Sequence, residues 1–297
     1  MRFSPQIQSV AAALDQEVLA AAVLAGGFSH STWLVELTEG PVVARFGGGD
    51  PAIEAAVMAR APGPVPAVLS VAPMIIAYVP GTPLSSVLAS PAPDLAGLGR
   101  AVGRAVAEVS AVRFDRPGFF TDPSLSVGKQ PPWSAQLPGF AASAQVPPDR
   151  LDAATLSAWV SLCTEHAPAL SAVEHQARLA HGDVNPKNIL VTHTTDGWRV
   201  DALLDWEFSY SGSPYADAAN MARFGASYPR AFMAAFGEGF AAGFVDLPLV
   251  EEWAYIGRVF DMFALTDLVT RPVGHEVADQ AAEVIREWTK TGVPTTL

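Results

Sequence analysis

The stretch that most constrains this chain is His181-Gly182-Asp183-Val184-Asn185-Pro186-Lys187-Asn188, followed at once by the apolar run Ile189-Leu190-Val191. Gly, Asn and Pro make the first part a loop, and the apolar run after it a strand. Thr195-Asp196-Gly197 is a turn signal, so residues 198–204 return as the second strand of a hairpin. That strand ends in Leu203-Leu204-Asp205-Trp206-Glu207, seventeen residues after Asn188. The hairpin therefore delivers Asp183, Asn188 and Asp205 to one end. Hard carboxylate and amide oxygens gathered there suit Mg²⁺, which takes them together with phosphate oxygens. A separate carboxylate beside the metal can accept a hydroxyl proton, and phosphoryl transfer from a nucleotide needs both. His181 reads as a packing residue that holds the loop, and Lys187 as a solvated one. Glu207 is placed either to support the metal or to cap.

The rest of the chain divides into two patterns. Ser4-Pro5 is an N-cap followed by Pro at the first helical position, and opens a helix to about Asp15. Strands are expected over 19–25, 32–38 and 41–46, with Glu39-Gly40 as the turn between the last two. Asp50-Pro51 caps a helix that runs to about Arg60. A Pro-rich connector leads to two further strands, 67–71 and 74–79. Pro80-Gly81-Thr82-Pro83 ends the pattern, and beyond it the periodicity is helical. Leu95, Leu98, Val102, Val106 and Val109 share one helix face. Residues 114–148 are rich in Pro, Gly and Ser and are expected to be irregular. Residues 151–170 are helical again, and everything from Pro214 onward reads as helices. The chain shows no internal repeat. The plan is a β-rich lobe over residues 1–80, a hinge near 78–81, and a larger, mostly helical lobe over 81–297. This is an α+β fold.

Composition excludes several classes. The 297 residues carry 30 Asp+Glu against 18 Lys+Arg, a net charge of -12 that disfavours a nucleic-acid partner. With 50% hydrophobic and 16% charged residues, the chain has the means to bury a core. The purest apolar run, 18–28, falls short of the roughly 20 residues that span a membrane. Asp15 and Glu17 lie where an export signal would be apolar. One cysteine, Cys163, excludes an internal disulfide and a multi-cysteine metal site, and reads as a small buried hydrophobe. The expectation is a cytoplasmic protein.

These motifs resemble the aminoglycoside phosphotransferase and choline kinase superfamily, whose signature is His-Gly-Asp-x-x-x-x-Asn followed by Ile/Leu-Asp-Trp/Phe-Glu/Asp. Gly212-Ser213-Pro214-Tyr215-Ala216-Asp217 matches the family's Gly-x-Pro-x-x-Asp, which opens a helix. The resemblance implies a protein-kinase-like two-lobe fold, with a small antiparallel β-rich N-lobe. It implies Asp183 as catalytic base and Asn188 and Asp205 as Mg²⁺ ligands. Gly26, Gly27 and Ser29 fall where backbone N–H groups meet phosphates. Arg45 stands where the family usually has Lys, and no Lys precedes Lys129. Arg is a fork-shaped, permanently charged donor suited to phosphate, and Glu54 on the next helix is its natural partner. Ile76 and Tyr78 lie in the segment resembling the adenine-binding hinge. The implied co-substrate is ATP, or GTP. The implied activity is phosphorylation of a hydroxyl on a small molecule such as an aminoglycoside-like antibiotic, amino alcohol or sugar.

The C-terminal helices carry many acids, which suit a cationic acceptor. Trp253, Tyr255 and Trp288 could supply cation–π faces, although such aromatics are usually core. Glu207, Asp261 and Asp267 are the acceptor-site candidates. Two alternatives stand beside this reading. A protein Ser/Thr kinase would show Asp-Phe-Gly and Ala-Pro-Glu, which this chain lacks. A non-catalytic nucleotide-binding module would have lost the base or a metal ligand, and Asp183, Asn188 and Asp205 are all present.

Overall fold

The computed structural model describes residues 3–24, 30–244 and 248–297. The N-lobe opens with α1 (Pro5–Leu14), capped by Ser4, whose hydroxyl accepts from the Ile7 N–H at 3.4 Å. Then come β1 (Val18–Val23), β2 (His30–Leu37), β3 (Gly40–Gly47), α2 (Pro51–Arg60), β4 (Val68–Ser70) and β5 (Met74–Ala77). The five strands form one antiparallel sheet in the order β1-β2-β3-β5-β4. Strand alternation gives the sheet two apolar faces. Val35, Leu37, Val42, Ala44 and Ile75 pack on Ile7 and Val10 of α1. Met74 and Ile76 point the other way, into a second core shared with α2 and the larger lobe.

The larger lobe follows as β6 (Thr82–Pro83), α3 (Leu84–Leu88), α4 (Leu95–Val109), β7 (Gly118–Phe119), α5 (Trp133–Ser143) and α6 (Ala153–His166). It continues as β8 (Arg178–Ala180), β9 (Ile189–Thr194), β10 (Gly197–Leu203), β11 (Tyr210–Gly212) and α7 (Tyr215–Ala222). The chain closes with α8 (Arg230–Ala242), α9 (Trp253–Leu268) and α10 (Glu276–Thr291). Two small sheets, β10-β9-β6 and β7-β11-β8, brace the segments on either side of the loop at 181–188. No helix among the described residues is long and apolar enough to cross a membrane.

Two expectations need correction. The strand expected over 74–79 ends at Ala77. Residues 114–148 are not wholly irregular, because α5 lies within them. Pro138 inside that helix, and Pro131-Pro132 before it, hide the pattern in the sequence. What holds it is the burial of Trp133, Leu137 and Ala141, four residues apart on one face.

Helices α4 and α8 pack unusually close because glycines line the contact. A Cβ on Gly103 would collide with the carbonyl oxygen of Phe236, and one on Gly99 with that of Phe232. Gly103→Ala gains helix propensity but forces two backbones apart, so we expect a net loss of about 1–3 kcal/mol. Gly139→Ala in α5, where a Cβ meets nothing within 4 Å, is the control and should be neutral or slightly stabilising. Thermal unfolding of the two variants checks the pair.

Candidate active site

The hairpin end is as compact as its sequence suggests. Ile189 of β9 pairs with Leu203 of β10, and the Leu204 N–H donates to the Asn188 carbonyl at 2.8 Å. Asn188 and Asp205 are thereby fixed on neighbouring strand ends. The Asn188 amide then reaches back to Asp183, donating to its carboxylate at 2.9 Å and to its carbonyl at 3.1 Å. That orientation leaves the Asn188 carbonyl oxygen as the group it can offer a cation. Asp205 adopts φ 68°, left-handed backbone that a non-glycine residue takes at a cost. Gly182 also has positive φ, +81°, and a Cβ there would collide with the Phe208 carbonyl. Only glycine lets the loop pass beneath the 205–209 segment.

His181 joins the two segments. It is 1% exposed, and its Nε2–H donates to the Leu204 carbonyl at 3.0 Å. Its Nδ1 accepts the Asp183 N–H at 3.3 Å, which requires the neutral ring. Burial pushes its pKa down, in keeping with that form. The ring packs on Trp206 with centroids 4.5 Å apart. The geometry makes His181 a positioning residue.

Asp217 on α7 supports the loop from below, a role the sequence reading did not assign. Its carboxylate accepts the His181 N–H at 2.8 Å and the Gly182 N–H at 2.9 Å. Burial pushes its pKa up to about 7, against those two donors. A raised folded pKa means that the fold holds this proton more tightly than the unfolded chain does. The stabilisation is therefore full below about pH 4 and is lost as pH rises through about 7, on the order of a few kcal/mol. Asp217→Asn removes the titration. The wild type should lose thermal stability more steeply than the variant between those limits. Parallel pH profiles of the unfolding midpoint would disprove this.

Arg45 of β3 sits between two carboxylates. It donates to Glu54 of α2 and, at 2.6 Å, to Asp205. Glu54 also accepts the Trp206 N–H at 3.2 Å. Arg45 and Glu54 are both buried, while Asp205 keeps 29% of its side chain exposed. Burial pulls the Glu54 carboxyl up, and the Arg45 charge pulls it down. One guanidinium thus ties a helix of the N-lobe to the end of the hairpin.

The chain as a whole has counterparts among known proteins. A profile of the phosphotransferase enzyme family matches residues 20–254, from β1 to the start of α9. The chain belongs to the phosphotransferase enzyme family. As a member it is a kinase-type small-molecule phosphotransferase, and the family resemblance of its motifs holds. No curated protein matches the chain. Among solved structures it is similar to a thermostable mutant of aminoglycoside phosphotransferase APH(4)-Ia in ternary complex with ADP and hygromycin B. That match has TM-score 0.71 and 17% identity, covering 98% of this chain and 100% of that one. It is also similar to macrolide 2'-phosphotransferase MphH from Brachybacterium faecium, with TM-score 0.60 and 20% identity over 92% and 96% of the two chains. At such identities the likeness establishes the fold.

The remaining candidate residues of this phosphotransferase fall in different places. Gly26, Gly27 and Ser29 lie outside the described residues. Ile76 is buried in β5, while Tyr78, just past the strand, is 42% exposed. The Ala77 N–H, at the head of the hinge, is already bonded to the Ala67 carbonyl at 2.8 Å. Glu207 accepts the Gly49 N–H at 3.2 Å and so bridges the lobes.

The acceptor candidates on α9 do not form a site together. Asp261 is 1% exposed, and its carboxylate is held by Arg223 at 2.6 Å and by Asn220 at 3.1 Å. Asp267 is solvated and bonds Arg271 one turn along. Six residues apart on a helix, the two carboxylates occupy different faces. Trp253 stacks on Phe240, Trp288 packs on Trp159, and Tyr255 bonds His166. These aromatics pack or bond within the fold, and the cation that Trp288 faces is the chain's own Arg258, 5.9 Å from the ring centroid.

Proposed function

We propose that this protein transfers the γ-phosphate of ATP to a hydroxyl group of a small molecule, with Asp183 as the base. What carries this reading is the meeting of Asp183, Asn188 and Asp205 at one hairpin end, with Arg45 and Glu54 alongside. Asp183 takes the acceptor's hydroxyl proton. The oxygen forms its bond to the γ-phosphorus as the bond from phosphorus to the bridging oxygen breaks, and ADP leaves. His181 and Asp217 hold the loop so that Asp183 faces the acceptor. Arg45, backed by Glu54, neutralises phosphate charge.

The donor set fits Mg²⁺. The Asn188 carbonyl oxygen and the partly exposed Asp205 carboxylate are hard oxygens, and nucleotide phosphates would complete the shell. When bound, the ion would offset charge on the phosphates. In this reading residues 1–80 bind the nucleotide, and residues 81–297 carry the base and the acceptor. ATP with hydroxylated acceptors — aminoglycosides, amino alcohols, sugars and sugar acids — tests the reading by ADP release. Acceptor-dependent release that Asp183→Asn abolishes supports it. Mg²⁺·ATP turnover unaffected by Asp183→Asn would refute it.

A further inference from the structure

A cavity lies below the catalytic loop, at the far end of α7. It measures about 700 Å³ and is lined by Tyr228, Arg230, Met233, Trp253, Arg258 and Thr296, among others. That volume is within the range of small-molecule sites, roughly 300–1,000 Å³. Tyr228, Met233 and Trp253 give it an apolar wall, and its charged side chains are two guanidiniums, beside the hydroxyls of Thr295 and Thr296. No described acidic side chain lines it. On a chain of net charge -12, a cavity of that sign runs against the rest of the molecule.

Arg258 is built into the wall. It is 7% exposed, and donates to the Ala222 carbonyl at 2.7 Å and the Thr296 carbonyl at 3.1 Å. These neutral carbonyls and the Trp288 ring, its centroid 5.9 Å from the Arg258 Cζ, fix its position, and Asp261 is the acid whose charge acts on it. The nearest acid on α9, Asp261, is held by Arg223. Arg230 is exposed at the start of α8. A cavity with fixed positive charge and low-dielectric walls attracts anions. Helix α7 is eight residues long, so about 12 Å separates its two ends, one beneath the catalytic loop and the other at the cavity rim.

We propose that this cavity binds a small molecule bearing an anionic group, carboxylate or phosphate, on a body with an apolar face. The binding claim stands apart from the phosphotransferase reading. The probes are glucuronate, glucose and glucosamine, which share a ring and differ in charge, measured by ligand-observed NMR at low salt. The wild type should bind glucuronate tightest and glucosamine weakest. Arg230→Glu should weaken glucuronate by about five- to tenfold, the scale of a partly exposed charge pair inverted, and leave ATP affinity unchanged. Arg230→Gln should fall between. ATP turnover is read in parallel, and glucuronate binding by a protein that shows no ATP turnover would sink the proposed activity while sparing the cavity. The proposal is overturned if glucosamine binds tightest, if Arg230→Glu leaves the order unchanged, or if glucuronate fails to bind at about 10 mM, a free energy near 3 kcal/mol.

Discussion

Asp183→Asn should lower turnover by roughly 10²–10⁴-fold, the typical worth of a positioned acid or base, with little change in nucleotide affinity. The substitution keeps the side chain's size and one oxygen that can still accept from Asn188, which now lies 2.9 Å from the carboxylate. What it removes is the proton acceptor. Asp205→Asn should behave differently. It weakens the pair with Arg45 at 2.6 Å and replaces a charged metal ligand with a neutral one. Nucleotide binding should then need more magnesium. Steady-state turnover and nucleotide titration on both variants separate the roles. Near-normal turnover in Asp183→Asn, or equal loss of nucleotide binding in both, would contradict the assignment of the base.

Arg45→Ala should weaken nucleotide binding and also destabilise the fold. From sequence alone Arg45 is a binding residue whose loss spares the structure. The geometry makes it also the charge partner of Glu54, which is only 5% exposed. Removing one member of a buried pair leaves the other uncompensated, at a cost of about 3–5 kcal/mol. Arg45→Ala/Glu54→Gln should recover much of that stability without recovering nucleotide affinity. Arg45→Lys should restore part of both, since the charge remains and the fork is lost. Thermal unfolding and nucleotide titration of the three variants read the two effects separately. An Arg45→Ala protein with unchanged nucleotide affinity would show that another group carries the phosphate charge.

The legible parts of this molecule are those where local pattern and local structure coincide. The loop from His181 to Asn188 and the hairpin behind it could be placed because turn residues and apolar runs alternate there without ambiguity. Arg45 and Glu54 are named by the family resemblance, and the fold brings them together. What stayed hidden depends on contacts between distant segments. Asp217 looks like a helix opener, yet its carboxylate holds backbone N–H groups 35 and 36 residues away. Helix α5 was concealed by its prolines, because burial of Trp133 and Leu137 outweighs local propensity. Asp261 and Asp267 look equivalent in an acidic tail. Only the packed structure sends one to Arg223 and the other to solvent.

Titration of ATP into the wild type and Asp205→Asn, each with and without magnesium, tests the central claim most directly. Wild-type binding should depend on magnesium, and the Asp205→Asn variant should need a higher magnesium concentration to reach the same affinity. At nucleotide a hundredfold above its dissociation constant, the wild type should gain about 2.7 kcal/mol of stability. Wild-type binding indifferent to magnesium, or an Asp205→Asn titration that matches the wild type, would contradict it.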